Sequence, residues 1–523
     1  MNNNQFIAPD FYNLTEEIDR YKSDKIALLW ESESGIRKEM TYEQLINQGN
    51  RLANVLLSLG LEKGDRVMVM VPRLLEAYVI YYACLKAGLV IIPASEMLRA
   101  KDIHYRLEHS QAKAVLSFAD FCTEMDEIAG LGQMVDYKLS FGHHVEGWVD
   151  IEELMSKESP SFDGIVTSRD DMAFLSYTSG TTGHPKGVVH SHGWAFAHLR
   201  IAAEKWLNIG ESDLVWATAG PGWQKWVWSP FLSILGKGAT GFIYHGRFQP
   251  HKYLQILQEK AINVLCCTPT EYRMMATVDD LGQFDLSHLH SAVSAGEALN
   301  REVIDTFKKT FNLDIRDGYG QTESTLLIGH LKGLKCKSGS MGKPIARDYI
   351  DIVDVEGKPV PVGEVGTIAI RRDFPALFKR YYKDPEKTAA SCKGEYFLTG
   401  DRAYRDGDGD FWYQGRNDDI IISSGYTIGP FEVEEALMTH ESVQECAVVA
   451  SPDRIRGHVV KAFIVLKNGI QEGIHLRQEL QKHVKKLTAP YKYPRIIEFV
   501  KSLPKTDSGK IRRVELRKLK MDL

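Results

Sequence analysis

The sequence predicts an α/β fold with a second unit, and three features lead there. Short apolar, β-branched runs alternate with helix-patterned segments over most of the chain. Most runs end in a Gly, Pro or Thr turn before the next helical pattern begins. At 523 residues the chain also exceeds one domain of roughly 100–200 residues. The composition, 44% hydrophobic and 25% charged, is that of a globular protein and excludes disordered, collagenous and disulfide-scaffold classes.

In chain order, residues 66–71 read as a strand and 74–86 as the helix that follows. The most apolar stretch, 77–94, contains Lys86, Gly88 and Pro93, so it does not read as a membrane span. It reads as a helix stopped at Gly88 and a buried strand over 89–92. Residues 114–118, 171–176, 263–267 and 289–295 are further strands. From about 350 to 370 the pattern becomes short strands with Gly/Pro turns, as in an antiparallel or barrel-like sheet. The run Asp406–Asp410 resembles the start of a calcium loop. It has Phe411 and Asn417 where Gly and Glu are required, so a hairpin turn is expected.

The net charge is −5, a poor balance for a general nucleic-acid binder. That total hides a split. Residues 419–523 carry 18 Lys/Arg against 13 Asp/Glu, so a basic C-terminal unit follows an acidic body. The seven cysteines are odd in number and lack C-x-x-C spacing, which reads as reduced thiols in a cytoplasmic protein. Residues 1–11 carry neither a secretory nor a transit pattern.

The strongest local motif is YTSGTTGHPKG at 177–187, after an apolar strand. Its three glycines permit tight turns and close backbone approach, and its hydroxyls and Lys186 offer donors to phosphate oxygens. The spacing is not that of a Walker A loop. The neighbouring pair His190 and His192 cannot share a helix face, so these read as ordinary surface or helix-start histidines rather than metal ligands.

Residues 177–187 resemble the phosphate loop of the adenylate-forming superfamily, which includes acyl- and aryl-CoA synthetases. The resemblance continues in the family's order through SAGEA at 294–298, DGYGQTE at 317–323, YFLTGD at 396–401, Gly415-Arg416, Asp418 and PKTDSGK at 504–510. SPD at 451–453, Arg456 and VKAF at 460–463 are most similar to medium-chain acyl-CoA synthetases. The resemblance implies a large N-terminal domain, 1–417, of two layered α/β sheets plus a small β-barrel. It also implies a mobile α+β lid, 418–523, hinged at Asp418.

For the chemistry, it implies that a carboxylate attacks the α-phosphorus of ATP, an anion attacking an anion, so cations and donors must offset the repulsion. The ATP site would comprise Thr178, Ser179, Gly180, Thr181, Thr182, Gly183 and Lys186 around the phosphates. Gly296, Glu297, Ala298, Asp317, Gly318, Tyr319, Gly320, Gln321 and Thr322 would surround the nucleotide, with Asp401 and Arg416 at the ribose. Glu323 would hold Mg2+, Lys186 the pyrophosphate and Thr322 the α-phosphate. Lys510 would bridge carboxylate and phosphate in catalysis. Coenzyme A would pass Ser424, Gly425 and Tyr426 and meet the basic surface at Arg456, Lys492, Tyr493 and Pro494. Two positions depart from the pattern: Thr427 replaces a frequent Arg, and Gly220 a frequent Asp.

The acyl pocket would lie against Trp223, Gly296 and Gly320. Acetate-specific relatives have Trp at position 320, so Gly320 leaves room for a medium-chain or branched acid, and Gly320→Trp is expected to favour acetate or propionate. Benzoate-like acids are the second choice. Alternatives are an amino-acid adenylation enzyme, a luciferase-like oxygenase and an inactive nucleotide sensor. Against the first stands the absence of a pocket Asp at 223–228. Against the second, MDL at 521–523 is not a peroxisomal signal.

Overall fold

The computed structural model describes residues 3–178, 185–296, 299, 301–416, 419, 421–423, 426–453, 457–505 and 511–519. Packing divides the chain into two compact units. The first is Met1–Leu299, Ile304–Cys336 and Arg372–Cys392; the second is Asn300–Val303, Lys337–Arg371 and Lys393–Leu523.

The first unit holds two mixed sheets. One runs, in spatial order, Leu326–Gly329, Ile315–Gly320, Ser291–Ala295, Val264–Cys267, Leu214–Ala217, Thr240–His245, Ile26–Ser32 and Arg37–Thr41. Its interior pairs are parallel and its two ends antiparallel. The other runs Arg380–Tyr381, Lys186–Ser191, Met172–Thr178, Val90–Ala94, Arg66–Met70, Ala114–Phe118, Tyr137–Phe141 and Val149–Asp150. Parallel strands need crossovers, which explains the β–helix alternation in the sequence. The helix Tyr42–Ser58 begins where Thr41 Oγ1 accepts from Gln44 N at 3.1 Å and Gln44 Oε1 accepts from Thr41 N at 2.9 Å, a reciprocal cap.

The helix Leu75–Lys86 is buried almost all round, and Gly88 turns the chain at φ +69°. The following strand runs through Pro93 to Ala94, two residues beyond the expected end. Pro93 has no N–H to give. The strand pairs fully with Arg66–Met70, while its pairing with Met172–Thr178 is confined to Ile91 opposite Phe174.

The second unit contains an antiparallel, half-barrel-like sheet of Ile350–Val353, Gly366–Arg371, Tyr396–Arg405 and Phe411–Arg416. Asp406–Asp410 forms its hairpin turn, as expected. The turn does hold a cation, but a tethered one: Lys337 Nζ lies 2.7 Å from Asp406 Oδ2 and 2.6 Å from Asp408 Oδ2. The same unit carries an α+β layer. Strands Ile421–Ser423, Tyr426–Ile428, Val443–Asp453, Gly457–Leu466 and Ile496–Phe499 pack with helices Pro430–Met438 and Ile474–Leu487 around Val433, Leu437, Ile464 and Leu480.

Candidate active site

The strands Met172–Thr178 and Lys186–Ser191 are antiparallel neighbours, with Thr178 directly opposite Lys186. These two residues therefore flank the mouth of the glycine- and hydroxyl-rich loop. Ser179, Gly180, Thr181, Thr182 and Gly183 of that loop lie outside the described residues. The strand Arg380–Tyr381 pairs along Lys186–Ser191 and sets Tyr381 opposite Val188. From there the Tyr381 hydroxyl donates to Glu323 Oε1 at 2.8 Å, and Lys186 Nζ sits 5.5 Å from the centre of the Tyr381 ring. Lys186 and Tyr381 line a cleft of about 490 Å³ together with Tyr105, His109, Tyr382 and Lys387, and Glu323 joins them through the Tyr381 hydroxyl.

The backbone that carries Thr322 and Glu323 is held residue by residue. His190 Nε2 donates to the Thr322 carbonyl at 2.6 Å, and Phe378 N to the Glu323 carbonyl at 2.7 Å. Trp194 Nε1 donates to the Ser324 carbonyl at 3.0 Å. His198 Nδ1 accepts from Thr325 Oγ1 at 2.7 Å, while its Nε2 donates to the Trp228 carbonyl at 3.0 Å. Residues 190, 194 and 198 stack in a column, with ring centres 4.6 and 5.0 Å apart.

This arrangement corrects the surface half of the reading of His190 and His192, since both are fully buried, while His192 does begin the helix His192–His198, as the helix-start half expected. His192 Nδ1 accepts from Leu14 N at 3.2 Å. Burial pushes the pKa of His190, His192 and His198 down to about 4, so all three are neutral at pH 7. Among the described residues, no group of three or more His, Cys, Asp and Glu is arranged to hold a metal.

The parallel strands bring Ala295 beside Gly318, so the loop at Gly296 and the turn at Tyr319–Thr322 emerge together at the strands' carboxyl ends, where open α/β sheets bind ligands. Asp317, just inside, is buried, and burial raises its pKa to about 7. Its Oδ1 accepts from Gly318 N at 2.9 Å. Lys225, unremarked in the sequence, donates from Nζ to the Ala295 carbonyl at 2.5 Å. It stands 4.0 Å from where a Cβ of Gly296 would be.

Two glycines here are sterically required. A Cβ on Gly222, at φ +95°, would come within 2.5 Å of the Ser95 backbone, so only glycine carries the chain into the half-buried Trp223. A Cβ on Gly320 would lie 2.3 Å from the Thr325 carbonyl oxygen and 3.2 Å from the Trp228 ring. Position 320 is therefore closed to any side chain until the turn moves. Gly320→Trp consequently does more than fill space, which revises the simple substitution expected above.

In the second unit, Asp401 pairs across the hairpin with Arg416. Arg416 Nη1 lies 4.0 Å from Asp401 Oδ1, which also accepts from Tyr413 OH at 3.3 Å. The loop ending at Lys510 is closed at its base by a bridge between Lys505 and Ile511 and by Arg512 N donating to the Pro504 carbonyl at 2.8 Å. The following helix, Arg513–Lys518, is tied down by Arg513 Nη2, at 2.6 and 2.7 Å from the two Glu434 oxygens. Lys492 Nζ pairs with Glu432 at 2.6 Å, so its charge already has a partner. Lys485 and Arg495 flank the Tyr493 ring, and Pro494 is buried. Glu297, Ala298, Asp418, Ser424, Gly425, Arg456 and Lys510 lie outside the described residues, as do the side chains of Tyr426 and Thr427.

Mixed α/β sheets, a hydroxyl-rich loop with lysine at its mouth and a carboxylate on a braced turn define the class: an adenylate-forming ligase. The AMP-binding enzyme family matches residues 14–382, and the AMP-binding enzyme C-terminal domain matches 432–510. The chain belongs to this family, as an acid–thiol ligase of the acyl-CoA synthetase type. It is 58% identical to an uncharacterized acyl-CoA ligase, YtcI, of Bacillus subtilis strain 168, over 98% of this chain and 97% of that one. It is 42% identical to the mitochondrial acyl-coenzyme A synthetase ACSM3 of Mus musculus, over 98% and 91%. The fold superposes on the anthranilate CoA ligase AuaEII in complex with anthranoyl-AMP with a TM-score of 0.90 and 30% identity, over 98% of each chain. The reaction is the ATP-dependent joining of a carboxylic acid to coenzyme A through an acyl-AMP intermediate.

Proposed function

We propose that the acid is a medium-chain or branched fatty acid. The observation that carries this reading is the open side of Gly296 at the strand end. Among the described residues, a Cβ on Gly296 would find only Lys225 Nζ within 4 Å, whereas the Thr325 carbonyl fills that direction at Gly320. Each methylene buried there adds about 0.8 kcal/mol, roughly fourfold in affinity, until the pocket ends. An aryl acid is the second reading, favoured by the half-buried Trp223 and Trp228 and by the likeness to the anthranilate ligase.

In this reading Thr178 and Lys186 hold the leaving pyrophosphate, and Thr322 touches the α-phosphate. Gly318, Tyr319 and Gln321 shape the nucleotide side, while Asp401 and Arg416 take the ribose hydroxyls. Glu323 suits Mg2+, which binds through one carboxylate and substrate phosphates and keeps several waters. The ion would supply positive charge at the phosphates. The Tyr381 hydroxyl orients the Glu323 carboxylate, and the His190–Trp194–His198 column fixes the backbone beneath it. Lys510 then bridges carboxylate and α-phosphate. The lid 418–523 turns about Asp418, clearing Lys510 so that the thiol of coenzyme A can reach the adenylate past Gly425. The cytoplasm is the proposed location, on the cysteine spacing.

Pyrophosphate release, measured with and without coenzyme A over a panel of acids, tests the whole reading. CoA-dependent release that rises with chain length and peaks on a medium-chain or branched acid is expected, since each buried methylene adds affinity until the pocket ends. A maximum on benzoate or anthranilate selects the aryl reading, and release indifferent to coenzyme A overturns both.

A further inference from the structure

Tyr105 and His109 lie four residues apart on the helix Ala100–Ser110 and so share one face. Their rings stack, with centres 5.6 Å apart and planes within 14°. Each reaches a different end of the hydroxyl-rich loop. His109 Nδ1 and the Tyr177 hydroxyl are hydrogen-bonded at 2.8 Å, where the chain leaves the strand Met172–Thr178. The Tyr105 hydroxyl donates to the Pro185 carbonyl at 3.1 Å, where the chain returns. The ladder between the two strands stops at Thr178 opposite Lys186, so the Pro185 carbonyl lies one residue beyond it.

The helix is a firm support for both grips. Ile103 and Leu107 on its other side are buried in the same core as Leu175 and Val189 of the two loop-bearing strands. Its last turn is tied from a third direction. Lys383 Nζ donates to the His109 carbonyl at 3.0 Å, and the Tyr382 hydroxyl to the Ser110 carbonyl at 3.3 Å. Tyr382 N donates in turn to the Gly187 carbonyl at 2.7 Å. Arg106, next along the helix, stands 5.5 Å from the centre of the Tyr177 ring.

We propose that Tyr105 and His109 are positioning residues that fix the two ends of the loop, and through them the affinity for the β- and γ-phosphates of ATP. Donors bind a phosphate tightly when they are held in place before it arrives. The pair acts through Tyr177 and Pro185 rather than by contact with the nucleotide. This role rests on the loop holding the pyrophosphate, as proposed above.

Isothermal titration calorimetry of the full-length protein, with Mg2+-ATP and with AMP, tests it. AMP lacks the two phosphates in question, so a change confined to ATP reads the loop, whereas general damage to the fold weakens both. Tyr105→Phe is expected to raise Kd for ATP about fivefold, and Tyr105→Phe with His109→Leu roughly twentyfold, with Kd for AMP unchanged. His109→Asn keeps a group near the place of Nδ1 that can give or accept a hydrogen bond, and should recover most of what His109→Leu loses. Should the double variant not fold, Tyr105→Phe decides alone. Lys186→Ala is the control and should also weaken ATP alone. If it does, and the double variant binds ATP as the parent does, the positioning role is overturned while the phosphate reading stands. If Lys186→Ala leaves ATP unaffected, the phosphate reading falls and the positioning role with it. Equal weakening of ATP and AMP, or His109→Asn no better than His109→Leu, also overturns the role of the pair.

Discussion

The hydroxyl of Tyr381 donates to Glu323 Oε1 at 2.8 Å, across 58 residues of sequence. Tyr381 is itself placed by pairing beside the strand that starts at Lys186. The same short strand therefore aligns the carboxylate with the phosphate-loop lysine.

Tyr381→Phe keeps the ring and removes the donor. Hydrogen bonds to charged groups contribute about 1.5–3 kcal/mol, and Glu323 is half-exposed, so a loss of about tenfold in kcat/KM for ATP is expected. The loss should shrink as magnesium is raised, with KM for the acid unchanged. Magnesium titrations of the variant check this; a parental magnesium dependence would remove Tyr381 from the role.

His190→Leu leaves the Thr322 carbonyl without its donor in a buried site, a cost of about 1–3 kcal/mol. Both melting temperature and kcat should fall. His190→Gln retains an N–H of similar reach and should recover most of kcat. If Gln and Leu behave alike, the hydrogen bond is not what positions Thr322.

Stability should fall on acidification between pH 6.5 and 4. The unfolded chain takes up protons at His190, His192 and His198 near pH 6.5, whereas the folded chain refuses them until about pH 4. Asp317 acts in the opposite sense: its raised pKa of about 7 adds stability as pH falls from 7 towards 4. Three sites against one leave a net loss on the order of 3 kcal/mol per pH unit at most. Chemical denaturation at several pH values measures the slope. Asp317→Asn should steepen it and His192→Gln should soften it.

Arg513→Ala strands Glu434, which also accepts from Val448 N at 2.7 Å. Breaking such a pair costs about 3 kcal/mol when buried, and about 2 after allowing for the quarter-exposed guanidinium. The C-terminal unit should then melt earlier while the first unit keeps its transition, as differential scanning calorimetry would resolve. A uniform shift of both transitions would refute a local role.

Features that depend on neighbours in sequence were legible. The alternation of strands and helices and the hairpin at Asp406–Asp410 follow from short-range pattern, and the grouping of Asp401 with Arg416 from the motif order of the family resemblance. The helix-to-strand break at Gly88 is equally local. What could not be read depends on distant residues meeting. His190 reaches Thr322 over 132 residues, and Arg513 reaches Glu434 over 79. A histidine's polarity points to the surface only until backbone carbonyls are found for its ring nitrogens. Lys492 looked like a cation for phosphate because nothing in sequence brings Glu432 to it. Pro93 looked like an interruption because its place in the sheet, with pairing complete on one side only, is decided by the neighbouring strands.

Gly320, pressed against the Thr325 carbonyl, couples two properties that a lineage of such enzymes would want to vary separately. In the proposed acyl pocket, bulk at 320 is the short route to a smaller acid, yet it first displaces the turn that carries Thr322 and Glu323. A single substitution there crosses a fitness valley, losing turnover before it gains selectivity. Shifts in diet among descendants of this chain should therefore be found as paired changes, one at 320 and one within 321–325.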